Sequence, residues 1–307
     1  MARGKQIIKI NEKTVSECLV TFLKSCEIKN LSPQTIKNYR TECNYFAQWY
    51  GEDNSIRKVN AETIEDYILF AKWSGISQTY VATKIRQVRA FLYFCMEREY
   101  MESFKIGIPN ADEVVKEPYT AKELERLIRK PQSNNFVEWR TWEMINYFVA
   151  TGNRVSTVVN VKIKDIDFAD NLIKLNVVKN RRQQYIPMSS GLKQALKLYL
   201  SLWDYKETDY LFPEYEGGQL SARGAYDAVK KYNISRGVTK TSVHLFRHTF
   251  AKNYIVAGGD STYLQRLLGH STFTMTNHYL NLYSTDLRRN YDVFNPLDNL
   301  TKEMSSM

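Results

Sequence analysis

The sequence has few cysteines and no long apolar run. Its four cysteines, Cys18, Cys26, Cys43 and Cys95, form no CxxC pair and have no histidine nearby, so neither a zinc site nor a disulfide framework is predicted. No apolar run reaches the roughly 18 residues of a membrane span, and the N-terminus lacks the apolar core of a signal peptide. We therefore expect buried free thiols, a cytoplasmic location and no membrane partner.

Positive charge is in excess along the whole chain. The net charge is +10, with 43 Lys and Arg against 33 Asp and Glu. Residues 1–110 hold 16 basic and 12 acidic residues, leaving 27 and 21 for the rest, so the excess is +4 and +6. Basic side chains gain free energy by releasing counterions from phosphates, so a polyanionic partner is favoured. Because both parts are basic, we expect two domains that grip one DNA duplex.

Residues 1–105 have the periodicity of a small helical bundle. Ser32 and Pro33 are typical of a helix start, and residues 12–28 and 61–73 predict two further helices. Two apolar stripes at helical spacing predict the remaining packing surfaces: Ile36, Tyr39, Cys43, Phe46 and Tyr50, and Val81, Ile85, Val88, Leu92 and Cys95.

Basic side chains lie off these stripes, and we predict that they face solvent. Either they form an ordinary solvated surface or they contact DNA. We assign DNA contacts to one set in particular: Lys37, Arg40, Lys84, Arg86 and Arg89.

A second domain is predicted after a linker at 106–118, which contains Gly107, Pro109 and Pro118. It begins with a capping box at Thr120 and Glu123, followed by a helix over 136–151. Residues 172–178 and 184–187 alternate as in a β-hairpin, and helical patterns return from residue 190. We predict a mainly α fold of the α+β type, with a mostly helical second domain over 119–283 that carries a small antiparallel sheet. Residues 284–307 form a C-terminal tail.

The chemistry-bearing residues are concentrated in this second domain. All four histidines lie between His244 and His278, a stretch that also contains Arg247 and Tyr279. His244 and Arg247 share a helix face at i, i+3, so both can reach one anion. Arg154, two residues after the helix-breaking Gly152, is a second candidate, because the planar guanidinium donates two parallel hydrogen bonds to a phosphate.

Five segments together resemble the ordered signature of the tyrosine recombinases, the phage integrase family. They are Thr151–Ser156, Lys179 in the hairpin turn, His244–His248, Leu267–Ser271 and Tyr279. Lys179 lies 25 residues after Arg154, and Tyr279 lies nine after His270. The similarity spans essentially the whole chain.

This resemblance implies a role for each residue. Arg154 and Arg247 would clamp the scissile phosphate, Tyr279 would attack it to give a 3′-phosphotyrosine, and Lys179 would protonate the departing 5′ oxygen. The chemistry agrees, because a phenol with a pKa near 10 needs a base and an electropositive pocket. Two arginines and a lysine supply the charge that a divalent metal supplies elsewhere, so no metal and no cofactor are expected.

The histidines are divided between catalysis and structure. By the resemblance, His244 is the acid/base partner and His270 hydrogen-bonds a nonbridging oxygen. We expect His248 to pack inside, whereas His278 is either exposed or close to the chemistry. Tyr283 is the rival nucleophile, although its spacing from His270 does not fit the family.

Two positions depart from the family pattern. Asn153 stands where many relatives carry an apolar residue, and Thr157 stands where many carry an acidic residue that orients the first arginine. These changes bear on fine positioning of Arg154 rather than on the chemistry.

The resemblance implies a site-specific recombinase that acts as a homotetramer on two DNA duplexes, through a Holliday junction. The chain is expected to lack a separate arm-binding domain, as in compact recombinases of mobile elements or of chromosome-dimer resolution, and we favour a mobile-element integrase. An accessory directionality factor is an optional partner. Two alternatives stay open, a type IB topoisomerase and a catalytically silent DNA-binding regulator. The tail from residue 284 predicts a short helix that docks either on its own domain or on a neighbouring protomer.

Overall fold

The computed structural model describes residues 12–111, 117–176, 184–270, 272 and 276. The chain forms two compact units, Met1–Val115 and Lys116–Met307. The domain boundaries given above stay a prediction. None of the helices in these described ranges is long and apolar enough to cross a membrane.

The first unit is a bundle of helices around one apolar core. Its α-helices are α1 (Val15–Ile28), α2 (Pro33–Tyr50), α3 (Ala61–Trp73) and α4 (Gln78–Glu97). Helix α1 begins at Val15 rather than earlier because Thr14 and Glu17 form a capping box. Helix α4 packs against α1, α2 and α3. Both predicted apolar stripes face the core, where Phe46, Ile85 and Leu92 are fully buried.

The second unit is mainly helical with one small sheet. Its elements are α5 (Ala121–Ile128), α6 (Phe136–Thr151), α7 (Val155–Val158), β1 (Ile166–Asp167), β2 (Leu172–Leu175), β3 (Gln184–Pro187), α8 (Ser190–Leu200), α9 (Ala222–Ser235), α10 (Val243–Val256) and α11 (Ser261–Leu268). Helix α6 is central and packs against α5, α8, α9 and α10. The predicted fold class is confirmed.

The sheet is antiparallel in the order β1-β2-β3. Strands β2 and β3 pair from Leu172 opposite Pro187 to Leu175 opposite Gln184, as the hairpin pattern predicts. Strand β1 was not predicted, because two residues are too few for a periodic pattern. The turn with Lys179 lies outside the described residues.

Candidate active site

Arg247 is buried where α6, α10 and α11 meet. Its Nη1 donates to the carbonyl of Gly152 at 3.0 Å, and its Nη2 donates to the carbonyl of Leu268 at 2.8 Å. Gly152 ends α6 with a φ of 62°, and a Cβ there would lie 2.7 Å from Cδ1 of Phe250. Glycine therefore allows the end of α6 to lie directly against α10, where Arg247 reaches its carbonyl.

Arg154 approaches the same carbonyl from another element. It is the N-cap residue of α7, and its Nη1 donates to the carbonyl of Leu268 at 3.4 Å. The two guanidinium groups thus share one acceptor although 93 residues separate them in the sequence. Two positive charges held this close form a strong site for an anion such as a phosphate.

His270 is buried beside the two arginines and follows Gly269, which ends α11. Its Nδ1 lies 2.9 Å from Oγ1 of Thr276, which fixes the ring orientation. Burial, and then the charges of Arg247 and Arg154, lower the pKa of His270 to about 4. The imidazole is therefore neutral at pH 7.

His244 lies at the rim of the same site. It is exposed, and it lines a small depression together with Asn153, Arg154 and Arg247. The structure thus brings His244 and Arg247 to one face of α10. His248 is half-buried, so it packs less deeply than the sequence predicts.

Four residues of the sequence argument lie outside the described residues: Lys179, Tyr279, His278 and Tyr283. Their roles stay predictions. Within the described ranges, no group of three or more His, Cys, Asp or Glu residues could hold a metal ion.

The basic residues of the first unit differ in exposure. Lys37, Arg40 and Arg86 are exposed, whereas Arg89 is half-buried with its guanidinium carbon 5.8 Å from the centroid of the Tyr93 ring. The first three are thus available to a phosphate backbone.

Lys84 does not face solvent, so the prediction that it does is wrong, whereas its contact with DNA stays a prediction. Its side chain is 12% exposed, and Nζ lies 3.8 Å from Oε2 of Glu42 and 4.4 Å from the centroid of the Tyr45 ring. Glu42 is buried on α2 and also accepts from the hydroxyl of Tyr80 at 2.7 Å. A buried carboxylate needs a counter-charge, and Lys84 supplies it.

Sequence reasoning missed the backbone atoms and side chains that arrange the site. The carbonyls of Gly152 and Leu268 and the hydroxyl of Thr276 carry no sequence signal, because each acts only through a contact formed on folding. Gln184, at the start of β3, was also missed. Its Nε2 donates to the carbonyls of Arg266 and Leu267 at the end of α11.

A second depression lies at the opposite end of α6. It is lined by aromatic and acidic side chains, among them Phe136, Trp203, Tyr205, Asp209 and Glu214. Helix α6 has 16 residues, which places this depression roughly 24 Å along the helix from the arginine pair. None of the candidate catalytic residues lines it.

Comparison with known proteins identifies a family for both parts of the chain. Residues 118–285 match the phage integrase family, and residues 9–99 match the phage integrase N-terminal SAM-like domain. Tyrosine recombinase XerD of Halalkalibacterium halodurans is 26% identical over 300 residues, which cover 92% of this chain and 99% of that protein.

Solved structures of integrases share the fold. The Tn1549 transposon integrase in complex with transposon right end DNA gives a TM-score of 0.73 at 22% identity, covering 87% of this chain and 94% of that one. A lambda integrase tetramer bound to a Holliday junction gives a TM-score of 0.70 at 18% identity, covering 88% and 78%. The family match extends over more than half of the chain and includes every candidate catalytic residue. The chain therefore belongs to the phage integrase family.

Proposed function

We propose that this chain is a site-specific tyrosine recombinase that cuts and rejoins DNA through a 3′-phosphotyrosine at Tyr279. The observation that carries the proposal is the arginine pair. Arg154 and Arg247 converge on the carbonyl of Leu268, beside the buried His270, in a chain of the phage integrase family.

The arginine pair suits a phosphodiester under attack. Charge grows on the nonbridging oxygens as the pentavalent transition state forms, and donors that are already positioned there lower the barrier most. Arginine stays protonated at every working pH, so the two positive charges persist throughout the reaction. Arg154 and Arg247 bind the two nonbridging oxygens of the scissile phosphate.

The two histidines take different roles because their surroundings differ. His270 is neutral, so one ring nitrogen can donate to a nonbridging oxygen while the other binds Thr276. His244 lies exposed at the rim of the depression, where the ring can exchange protons with solvent and with an attacking hydroxyl. It therefore serves as the acid/base partner.

Lys179 protonates the departing 5′ oxygen. Lys179→Ala should cripple cleavage of normal DNA but recover on a substrate with sulfur at the 5′ bridging position, because a thiolate leaves without a proton. Arg154→Ala is the matched control, since sulfur substitution does not replace a phosphate clamp. Equal rescue of both variants would remove the special role of Lys179.

The working assembly is a homotetramer on two DNA duplexes, with strands exchanged through a Holliday junction. The DNA-bound Tn1549 integrase and the lambda integrase tetramer on a Holliday junction support this proposal by their shared fold. An accessory directionality factor remains an optional partner. The basic character of both parts of the chain fits a long DNA site.

Adduct mapping on a nicked suicide substrate tests the nucleophile. Tyr279→Phe should abolish the covalent protein–DNA adduct while leaving half-site binding within about twofold, because the hydroxyl contributes little of the phosphate contact energy. Tyr283→Phe is the matched control and should form the adduct at the parental rate. A phosphate mapped to Tyr283 would overturn the assignment.

Two further assays separate the alternatives. Relaxation of plasmids that lack any recombination site would favour a type IB topoisomerase. Failure to form any adduct, with site binding intact, would favour a silent DNA-binding regulator. The family match favours neither.

A further inference from the structure

The C-terminal end of α11 connects three separate parts of the active site. The last carbonyls of a helix lack partners within the helix and must find them elsewhere. In α11, the carbonyl of Leu268 accepts from Arg247 and Arg154, and the carbonyl of Gln265 accepts from the backbone N–H of His270 at 3.0 Å. This last turn therefore contacts both guanidinium groups and the backbone of the residue that carries the imidazole, so a displacement of the turn moves all three.

One side chain from the sheet holds this turn from the other side. Gln184 begins β3, and its Nε2 donates to the carbonyl of Arg266 and, at 3.2 Å, to that of Leu267. These carbonyls immediately precede the one that the arginines share. A carboxamide with two hydrogens on Nε2 can satisfy both acceptors at once.

Gly269 leaves room for this contact. Its φ is 61°, in the left-handed region, and a Cβ at this position would lie 2.9 Å from Oε1 of Gln184. The glycine therefore serves two purposes, ending α11 and allowing the carboxamide of Gln184 to lie against the backbone.

We propose that Gln184 is a positioning residue for strand cleavage, which fixes the last turn of α11 and thereby the arginine pair that binds the scissile phosphate. The proposal rests on the proposed function. Gln184 acts through the carbonyl end of α11 and does not itself touch DNA. Without it, the carbonyls of Arg266 and Leu267 lose their side-chain donor, and the turn that carries the Leu268 carbonyl can shift against the two guanidinium groups.

Gln184→Met tests the proposal, because methionine keeps the length of the side chain and removes the donor. Displacement of catalytic groups by about 1 Å can reduce a rate about a hundredfold, so we expect single-turnover cleavage to fall by about tenfold to a hundredfold. Half-site affinity should stay within about twofold, since the substitution removes no positive charge and affinity for DNA comes mainly from basic side chains. Gln219→Met is the matched control, because Gln219 also donates from Nε2, to Asn160 Oδ1 at 2.8 Å, in the same unit.

A second readout distinguishes positioning from general stability. The pKa of His270 is low partly because both arginines lie beside it. If Gln184→Met releases the pair, the pKa of His270 should rise in the DNA-free protein, as measured by carbon-13 NMR of labelled histidine. Gln184→Leu, which also removes the donor and adds no charge that would itself shift the pKa, should raise the pKa of His270 too and provides a second variant if the methionine protein does not fold.

The two readouts keep this proposal separate from the proposed function. A parental cleavage rate together with a parental His270 pKa would overturn the positioning role. If the parent itself forms no adduct at Tyr279, the proposed function fails, while the NMR comparison still tests whether Gln184 places the arginines.

Discussion

Acidification should destabilise the second unit through His270. The folded chain lowers the pKa of this residue to about 4, from an ordinary value of 6.5. Between these values the unfolded chain binds a proton that the folded chain does not. The contribution of His270 to the free energy of unfolding is thus fully present above about pH 6.5 and disappears as the pH falls towards 4.

The magnitude follows from the shift. The pKa of His270 is lower in the folded chain by 6.5 − 4 = 2.5 pH units, which corresponds to a loss of about 3.4 kcal/mol of unfolding free energy once both states are fully protonated. Between pH 7 and pH 5 the two states are only partly protonated, and the free energy of unfolding decreases by about 2 kcal/mol over this range. His270 is only 6% exposed, so little of this difference should be screened by solvent.

Comparison with His270→Gln isolates this effect from the carboxylates that titrate in the same range. Urea unfolding, followed by hydrogen exchange of peptides from the second unit, gives the stability of parent and variant at each pH. The parent should lose about 2 kcal/mol more than the variant on going from pH 7 to pH 5. Histidine NMR of the parent measures the pKa directly.

Arg154→Gln tests the cause of the shift. Burial is the largest contribution and Arg154 the smallest of the three, so removing this charge should raise the pKa of His270 while leaving it below 6.5. A parental His270 that titrates near 6.5, or a stability difference that does not change with pH, would refute the reasoning.

Three further predictions concern other parts of the chain. Gly152→Ala should destabilise the second unit by about 2 kcal/mol or more, because the left-handed φ disfavours a side chain and the new Cβ would meet Phe250; thermal unfolding measures this, and Gly191→Ala, which meets nothing within 4 Å, is the control. Truncation after Tyr283 should leave half-site binding intact and reduce cooperative filling of the full site in gel-shift titrations, whereas unchanged cooperativity would mean that the tail packs on its own domain. Alanine variants of Arg86, Arg89 and Lys84 on α4 should each lower the magnitude of the slope of log K against log salt by about 0.9 for every phosphate that the variant no longer binds. The slope is measured by fluorescence-anisotropy titration, and Lys84→Ala should change it least. An unchanged slope for the double variant of Arg86 and Arg89 would place the DNA-binding face elsewhere.

Local patterns predicted the elements of the fold well. Helices α3 and α6 run over the predicted ranges, and Thr120 and Glu123 form the predicted capping box. Periodicity, caps and turn residues are properties of a short stretch of chain, and a single sequence displays them directly.

Contacts between distant stretches were not predictable in the same way. The stripe on α4 placed Lys84 on the polar side, but Glu42, 42 residues earlier in the sequence, forms a largely buried ion pair with this lysine. The sequence likewise named Arg154, Arg247 and His270 as site residues, while nothing in it indicated that one carbonyl, at Leu268, holds both arginines. A hydrogen bond to backbone leaves no residue-type signal at the acceptor.

The shared carbonyl also bears on the entropy of DNA binding. An arginine that is ordered only when a phosphate arrives loses up to about 2 kcal/mol of rotamer freedom at that moment. In this chain both guanidinium groups are already restrained by the same backbone oxygen, so much of this loss accompanies folding. The phosphate then meets donors that need only small adjustments, and less of the contact energy is offset by the ordering of side chains.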